Sequence, residues 1–332
     1  MTVPIARRKF AAALAGAAAW PRAARAQRPG VPVVGFLGTG SPDVLAYLVR
    51  AFRQGLSETG YVDGRNLAIE YRWANDELDR LPALAADLVR RQVKLILATS
   101  TPAALAAKAA TTTTPVLFQI GGDPVRDGLV ASLARPGGNL TGVTSLAVEL
   151  VLKRLELLHE FIPRATKIAV LQNPNNNPNN PSTGLARNLL EAARGFGIEL
   201  HDLHASHERD FTNVFAELQS LQADALLINP NLLFNTRSEQ LAALTVRHAV
   251  PAIFQFREFT EAGGLMSYGG SITENFRLLG IYASRVLNGE KPADLPVQQA
   301  TRIELVINMK TAKALGLTVP LTLRGRADEI IE

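Results

Sequence analysis

Short polar loops directly after apolar runs carry the residues best suited to chemistry in the first half of the chain. These residues are Gly40, Ser41, Ser100, Thr101, Gly122 and Asp123. Hydroxyl groups and backbone N–H groups at the start of a helix can bind a carboxylate, and the Asp123 carboxylate could pair with a ligand ammonium. Helix capping and turn formation would use the same residues, so both interpretations stay open at this point.

A second set of polar and aromatic residues belongs to the second half of the chain. Its members are Asn173, Asn175, Asn231, Phe256 and Tyr268. Asparagine amides donate and accept hydrogen bonds without carrying charge, and an aromatic ring can stack on the ring of a ligand. An aromatic residue that follows a buried strand also packs commonly into the core, so a core position is the alternative interpretation of Phe256.

Catalytic and metal-binding patterns are missing from the sequence. It has no phosphate loop ending in Lys-Ser or Lys-Thr, no GxSxG elbow, no GxGxxG fingerprint, no zinc-protease spacing and no cysteine. His201, His204 and His207 recur every third residue, which fits neither a strand face nor a helix face, and solvated loop histidines are the favoured interpretation. We therefore predict no catalytic residue, no metal and no cofactor, and the chain is not expected to be an enzyme.

The elements that would position these loops alternate short apolar runs with amphipathic stretches, as in parallel β-α-β units. Residues 33–37 and 168–171 are predicted to be the strands that open two similar halves. The predicted fold class is α/β, with two Rossmann-like lobes built on parallel sheets. Because loops at the carboxyl ends of parallel strands converge, we expect both sets of residues to meet in a ligand site.

Residues 1–26 have the features of an export signal, although a frayed N-terminal helix is another interpretation. A basic head at 7–9 precedes an apolar run at 10–20, and residues 24–26 have the small-x-small form of a cleavage site. Eleven apolar residues are too few to cross a membrane, which needs about 20. The paired arginines resemble a twin-arginine export signal, the general secretory route stays open as an alternative, and the chain cleaved after Ala26 is predicted to be periplasmic.

The net charge of +5 originates in this leader. It contains five basic residues and no acidic residue, whereas the rest of the chain carries 30 basic and 30 acidic residues. A chain without a basic surplus offers no electrostatic attraction for the phosphate backbone. We therefore predict no nucleic-acid partner.

Several longer motifs give a family likeness that extends from about Val31 to Glu332. They are Gly122-Asp-Pro-Val125, Gly128-Leu-Val130, Arg135-Pro-Gly-Gly-Asn139-Leu-Thr-Gly142, Gly263-Gly-Leu-Met-Ser-Tyr-Gly269, Lys291-Pro-Ala-Asp-Leu-Pro-Val297, Glu304-Leu-Val-Ile-Asn308 and Lys310-Thr-Ala-Lys-Ala-Leu-Gly316. Together they resemble the ABC-transporter substrate-binding proteins of the tryptophan-receptor type. The resemblance implies a type I periplasmic-binding-protein fold, in which several crossover strands join two lobes.

On this resemblance, residues 31–143 plus about 269–300 would form the first lobe, and residues 144–268 plus about 301–332 the second. The first-lobe ligand loops would contain residues 38–41, Ser100 with Thr101, and Asp123, and the second-lobe loops would contain Asn173, Asn231 and the Phe256 region. Hinges are expected at 141–145, around Tyr268 and near 301, because Gly142 and Gly269 would relieve backbone constraint there.

The resemblance also implies a function. The protein would be a monomer that captures a small solute and delivers it to an ABC permease and its ATPase. The expected solutes are amino acids and related small carboxylates, aromatic ones included. A periplasmic ligand-sensing subunit on a membrane sensor is the main alternative. An exported hydrolase and a cytoplasmic repressor are less favoured, because catalytic motifs are missing and a leader occupies the place of a DNA-binding segment.

Overall fold

A computed structural model describes residues 30–175, 185–299 and 302–332. The leader lies outside the described residues. The strands are β1 Val33–Gly38, β2 Ala68–Trp73, β3 Leu95–Ala98, β4 Val116–Ile120, β5 Leu140–Thr144, β6 Lys167–Gln172, β7 Glu199–His204, β8 Ala225–Ile228, β9 Ala252–Phe254, β10 Met266–Gly269, β11 Gln298–Gln299, β12 Glu304–Asn308 and β13 Glu329–Ile331.

The α-helices fill the intervals between these strands. They are α1 Pro42–Glu58, α2 Leu81–Arg90, α3 Thr101–Ala110, α4 Val151–Phe161, α5 Arg187–Gly195, α6 Phe211–Leu221, α7 Leu232–Asn235, α8 Ser238–Arg247, α9 Arg257–Glu261, α10 Ile272–Leu287, α11 Met309–Ala314 and α12 Leu321–Arg326. Their amphipathic faces cover the sheets. No helix in the described ranges is both long and apolar enough to cross a membrane.

The first sheet has the strand order β11-β5-β4-β3-β1-β2, and all of its neighbouring strands run parallel. Every residue of β3 and β4 is buried, as expected where helices cover both faces of a parallel sheet. Helices α1, α2, α3 and α10 pack around this sheet. We call this sheet and these helices the first lobe.

The second sheet has the order β13-β12-β10-β9-β8-β6-β7 and is parallel except for the pair β10 and β12. Together with helices α4, α5, α6, α8 and α9 it forms what we call the second lobe. Two mostly parallel sheets with interleaved helices confirm the predicted α/β class. The alternation of apolar runs and amphipathic stretches carried that prediction.

The chain passes between the two sheets after β5, after β10 and again between β11 and β12. Two glycines near these crossings were expected to give conformational freedom. Instead, a β-carbon on Gly142 would lie 2.1 Å from the carbonyl oxygen of Phe118, and one on Gly269 would lie 1.9 Å from the carbonyl oxygen of Gln255. Neither glycine has a positive φ. These positions need glycine for close packing between neighbouring strands, which corrects the expected reason.

Candidate functional site

A cleft between the two lobes lies at the carboxyl ends of both sheets. Its inner part is a cavity of about 320 Å³, within the range of about 300–1,000 Å³ typical of small-molecule sites. Its wall is formed by Thr99, Ser100, Thr101, Gln119, Ile120, Gly121, Gly122, Arg126, Asp127, Ser145, Val148, Pro174, Ala186, Pro230, Asn231, Leu232, Asn235 and Phe256. We call this cavity the inner cleft.

A wider cavity of about 800 Å³ adjoins the inner cleft and is called the outer cleft. Ser100, Pro174, Asn231 and Leu232 line both cavities, so the two are continuous. The outer cleft is lined from the first lobe by Thr39 and residues 76–82, and from the second lobe by Asn173, Asn175, Ser206 and His207, among others. The predicted convergence of loops from both halves is therefore present in the structure.

The loop after β3 places two of the predicted hydroxyl residues at the inner cleft. Ser100 is the N-cap of α3, and its Oγ accepts a hydrogen bond from the backbone N–H of Ala103 at 3.3 Å. The same Oγ lies 2.6 Å from the Oγ1 of Thr39. Ser100 thus caps a helix and also lines the cleft, so both interpretations of this residue are compatible with the structure.

The loop after β1 contributes differently from the expectation. Thr39 lines the outer cleft, whereas Gly40 and Ser41 are not among the lining residues of either cavity. Ser41 is the N-cap residue of α1 and forms no capping hydrogen bond with its side chain. In this loop it is therefore Thr39, immediately before the predicted Gly40 and Ser41, that lines the cleft.

The loop after β4 brings Gly122 to the inner cleft but turns Asp123 into a capping residue. Its carboxylate accepts hydrogen bonds from the backbone N–H groups of Val125 at 2.8 Å and Arg126 at 3.4 Å. Asp123 is not among the residues that line either cavity. The turn role considered for it from the sequence is the one that the structure shows.

Arg126 and Asp127, which sequence reasoning missed, supply the charges of the inner cleft. Both line the cavity, and the Arg126 guanidinium lies 3.5 Å from the carboxylate of Glu149. Burial raises the pKa of Glu149, and Arg126 opposes that shift. The sequence signal that could have found them is Asp123 itself, because the turn that it caps presents Arg126 and Asp127, three and four positions later.

In the second lobe, the predicted asparagines lie close together. The Nδ2 of Asn173 is 3.4 Å from the Oδ1 of Asn231, which also accepts a hydrogen bond from the backbone N–H of Leu233 at 2.9 Å. Both residues and Asn175 line the outer cleft, and Asn231 lines the inner cleft as well. The structure therefore groups all three along one wall.

The two predicted aromatic residues have different positions. Phe256 follows β9 and lines the inner cleft, although only 1% of its surface is exposed, so it serves the core and the cavity wall at once. Tyr268 lies on β10 and packs against the apolar core beneath the second sheet. It is absent from the lining of both cavities.

Asn235 connects the inner cleft to buried groups of both lobes. Its backbone carbonyl accepts a hydrogen bond from the Tyr47 hydroxyl of α1 at 3.3 Å, and its Oδ1 accepts one from the Nε2 of Gln255. Burial, together with the nearby Glu258 carboxylate, raises the pKa of Tyr47, so the phenol stays a hydrogen-bond donor. Sequence reasoning missed this residue, because its partners lie far away in the chain.

At the outer cleft, an ion pair bridges the lobes. The Arg237 guanidinium lies 3.7 Å from the Asp76 carboxylate of the first lobe and 2.6 Å from the Glu208 carboxylate of its own lobe. Burial raises the pKa of Asp76, and the positive charge of Arg237 opposes that shift. The pair therefore connects the first-lobe lining of the outer cleft to the second lobe.

The histidines are arranged as ordinary side chains. His201 and His204 lie on β7 rather than in the expected loop, His207 lies three residues after this strand, and each is near a carboxylate of its own segment. Within the described residues, no group of three or more histidine and acidic side chains is placed to hold a metal ion.

Residues 34–331 match the model of a family described as ABC transporter substrate binding protein. A "Tyrosine-binding protein" from Clostridioides difficile (strain R20291) is 28% identical over 269 residues, which cover 81% of this chain and 76% of the relative.

Two solved structures superimpose over 90% of this chain and 99% of their own chains. A conserved domain protein from Vibrio cholerae is 26% identical with a TM-score of 0.78. An ABC domain in complex with L-Trp, from Streptococcus pneumonia, is 24% identical with a TM-score of 0.77. The second likeness shows a shared fold.

Proposed function

The chain belongs to the family of ABC transporter substrate-binding proteins, and we propose that its inner cleft binds an aromatic L-amino acid for delivery to a membrane permease. Members of this family bind solutes and are not enzymes, in agreement with the sequence prediction. The relative from Clostridioides difficile is named for tyrosine, and the streptococcal neighbour was solved with L-Trp. Both names support an aromatic ligand.

The observation that carries the proposal is the composition of the inner cleft. Arg126 and Asp127 put a positive and a negative charge on one wall, and Ile120, Val148 and Phe256 supply apolar surface. A free amino acid carries a carboxylate, an ammonium and a side chain. Opposite charges beside an apolar wall match those three groups.

In the proposed complex, Arg126 attracts the α-carboxylate and Asp127 the α-ammonium, while the ring packs toward Phe256. The cleft walls come from both lobes, so a ligand touches both only when the lobes are closed. Binding would therefore shift the population toward the closed arrangement. The proposed hinges are the segments at 141–145 and around Tyr268, where the chain leaves one sheet for the other, and the segment near 301, of which residues 300 and 301 lie outside the described residues.

Export, partners and domain bounds remain part of the proposal. The basic and apolar leader supports cleavage after Ala26 and a periplasmic location by the twin-arginine route, which suits a receptor that meets its solute outside the cytoplasm. The permease and its ATPase are the expected partners, and a monomer is sufficient to present two lobes to them. The proposed lobe bounds are 31–143 with about 269–300, and 144–268 with about 301–332.

A thermal-shift panel tests the ligand class. The purified protein, unfolded and refolded to remove any retained ligand, is heated with each of the twenty amino acids, aromatic acids, nucleosides and sugars. A ligand at a hundred times its Kd adds about 2.7 kcal/mol of stability, which raises the Tm by several degrees. L-tyrosine or L-tryptophan should shift the Tm, and calorimetric titration should confirm it. A panel in which no aromatic amino acid shifts the Tm contradicts the proposal.

A further inference from the structure

The side chain of Asn235 is held by one end only. It lines the inner cleft with 7% of its surface exposed, and its Oδ1 accepts the hydrogen bond from Gln255. Its Nδ2 forms no hydrogen bond within the described part of the chain and is not one of the fully buried unpartnered atoms. The amide nitrogen is therefore the end of Asn235 that is open to the cleft.

Gln255, the partner of Asn235, lies entirely behind the cleft wall. None of its surface is exposed, and it is absent from the lining of both cavities. Its Nε2 donates to Asn235, and its own Oε1 is buried without a hydrogen-bond partner in the described residues. With the Nε2 of Gln255 at this place, the Asn235 amide turns its Oδ1 inward to accept the hydrogen bond and leaves its Nδ2 on the side of the cleft.

The backbone of Asn235 is fixed as well. The residue ends the short helix α7, which Asn231 caps, and its carbonyl oxygen accepts the hydrogen bond from Tyr47 across the lobes. Main chain and side chain are thus both restrained in the arrangement of the lobes that the structure shows. A preorganised donor loses little conformational entropy when it binds.

The geometry points to Gln255 as a positioning residue that makes Asn235 a dedicated hydrogen-bond donor to the ligand carboxylate. The inference rests on the proposed function of the inner cleft and sharpens it. The site selects solutes that carry a carboxylate, whereas an amine that lacks this group leaves the Asn235 N–H groups unpaired. A polar group of the protein left unpaired in a closed site costs more binding free energy than a methylene missing from the ligand, so it discriminates more strongly between ligands.

The test compares L-tyrosine with tyramine, which keeps the ring and the ammonium but has no carboxylate. The Kd of each ligand is measured by calorimetry for the wild-type protein, Asn235→Asp and Gln255→Leu. The ratio of the tyramine Kd to the tyrosine Kd reports the contribution of the carboxylate. L-tryptophan and tryptamine form a second pair of probes.

We expect Asn235→Asp to weaken tyrosine binding about 10-fold or more, because an acceptor replaces the donor, and to leave tyramine binding no weaker. Gln255→Leu should lower the ratio several-fold in the same direction. This variant should still fold, because it removes a buried unpaired oxygen together with a single hydrogen bond. A merely structural role would weaken both ligands equally and leave the ratio unchanged.

Gln172→Leu is the matched control. Gln172 is a buried glutamine at the end of β6 in the second sheet, its Nε2 donates to Asp202 at 2.6 Å, and it lines neither cavity. The ratio should not change in this variant. An unchanged ratio in Gln255→Leu, or an equal fall in Gln172→Leu, overturns the positioning role. If the wild-type protein binds neither L-tyrosine nor L-tryptophan, the proposed function falls and this inference falls with it.

Discussion

Gly55 of α1 and Gly280 of α10 lie at the point where these two helices touch. A β-carbon on Gly55 would lie 1.8 Å from the carbonyl oxygen of Arg277, and one on Gly280 would lie 2.3 Å from the carbonyl oxygen of Phe52. Helix α10 follows β10 of the second sheet, yet it packs on the first lobe. The contact of the two glycines therefore anchors a crossover helix to the lobe that it enters.

Gly55→Ala and Gly280→Ala should each lower the free energy of unfolding by about 3 kcal/mol or more. Each added methyl group meets backbone atoms, which cannot rotate away, so the helices must separate and lose contacts along their length. Urea denaturation followed by circular dichroism measures the change.

Gly325→Ala serves as the control for these two variants. Gly325 also lies in a helix, α12, and a β-carbon there meets nothing within 4 Å. The substitution should be neutral or stabilise by up to about 1 kcal/mol, because alanine has the higher helix propensity. Equal losses in all three variants would show that close packing is not the cause.

The ion pair of Asp76 and Arg237 should contribute to ligand affinity through closure. Asp76→Asn keeps the shape of the side chain and suits the positive φ of 63° at this residue, but it removes the charge that faces Arg237. The two side chains are only 24% and 14% exposed but are loosely paired at 3.7 Å, so the pair contributes about 0.2–1 kcal/mol and the apparent Kd should rise about 1.4- to 5-fold. Titration calorimetry at low salt measures it.

The control for closure is Asp79→Asn, which removes the same charge from the same cavity lining. Arg237 is paired with Asp76 and Glu208, and its contacts do not include Asp79. High salt should narrow the difference in Kd between the wild-type protein and Asp76→Asn, since the pair borders the open outer cleft and is partly screened. A difference that persists at 1 M salt would contradict an electrostatic origin.

The sequence predicts the sheets well because their strands carry an unambiguous pattern. All residues of β3 and β8 are buried, and both strands are short apolar runs bounded by polar turns. The loops that follow such strands meet at the cleft for a topological reason, which is why Ser100, Gly122 and Asn231 could be selected in advance.

Side-chain direction and distant pairing could not be predicted in the same way. Arg154 lies on α4 with no exposed surface and donates to the carbonyl oxygen of Ala147 at 2.6 Å, although the charge of an arginine favours an exposed position. The partners Asn235 and Gln255 are twenty residues apart, and no local pattern connects them. Such contacts depend on tertiary packing.

Arg126 and Asp127 line the inner cleft, whereas Asp123, the charged residue that the sequence predicted as a ligand contact, does not. Arg126→Ala and Asp127→Ala should each weaken binding of L-tyrosine about 10- to 100-fold, the range for losing a hydrogen bond to a charged group. Asp123→Ala should weaken binding less than either of them, by a few-fold at most, because its carboxylate supports the turn at 123–126 but does not line the cavity. Stronger weakening by Asp123→Ala than by the other two would restore the original assignment.

Glu258 should make the stability of the protein depend on pH. Its Oε1 accepts hydrogen bonds from the Oγ of Ser271 at 2.9 Å and from the backbone N–H and Oγ1 of Thr273 at 3.2 and 3.1 Å, at the start of α10. Its Oε2 is buried and has no partner among the described residues. Burial raises the pKa of this carboxyl above its ordinary value, although the hydrogen bonds oppose the shift.

Because the folded protein holds this proton more tightly than the unfolded chain, the free energy of unfolding should fall as the pH rises from about 4.3, the ordinary glutamate pKa, through the raised pKa of Glu258. Glu258→Gln keeps an acceptor for Ser271 and Thr273 and removes the titration. The variant should therefore be more stable than the wild-type protein at neutral pH and approach it in acid. Urea denaturation from pH 4.5 to 8 measures the difference, with Glu261→Gln on the exposed side of α9 as the control. A difference that does not vary with pH would show that Glu258 is not the group responsible.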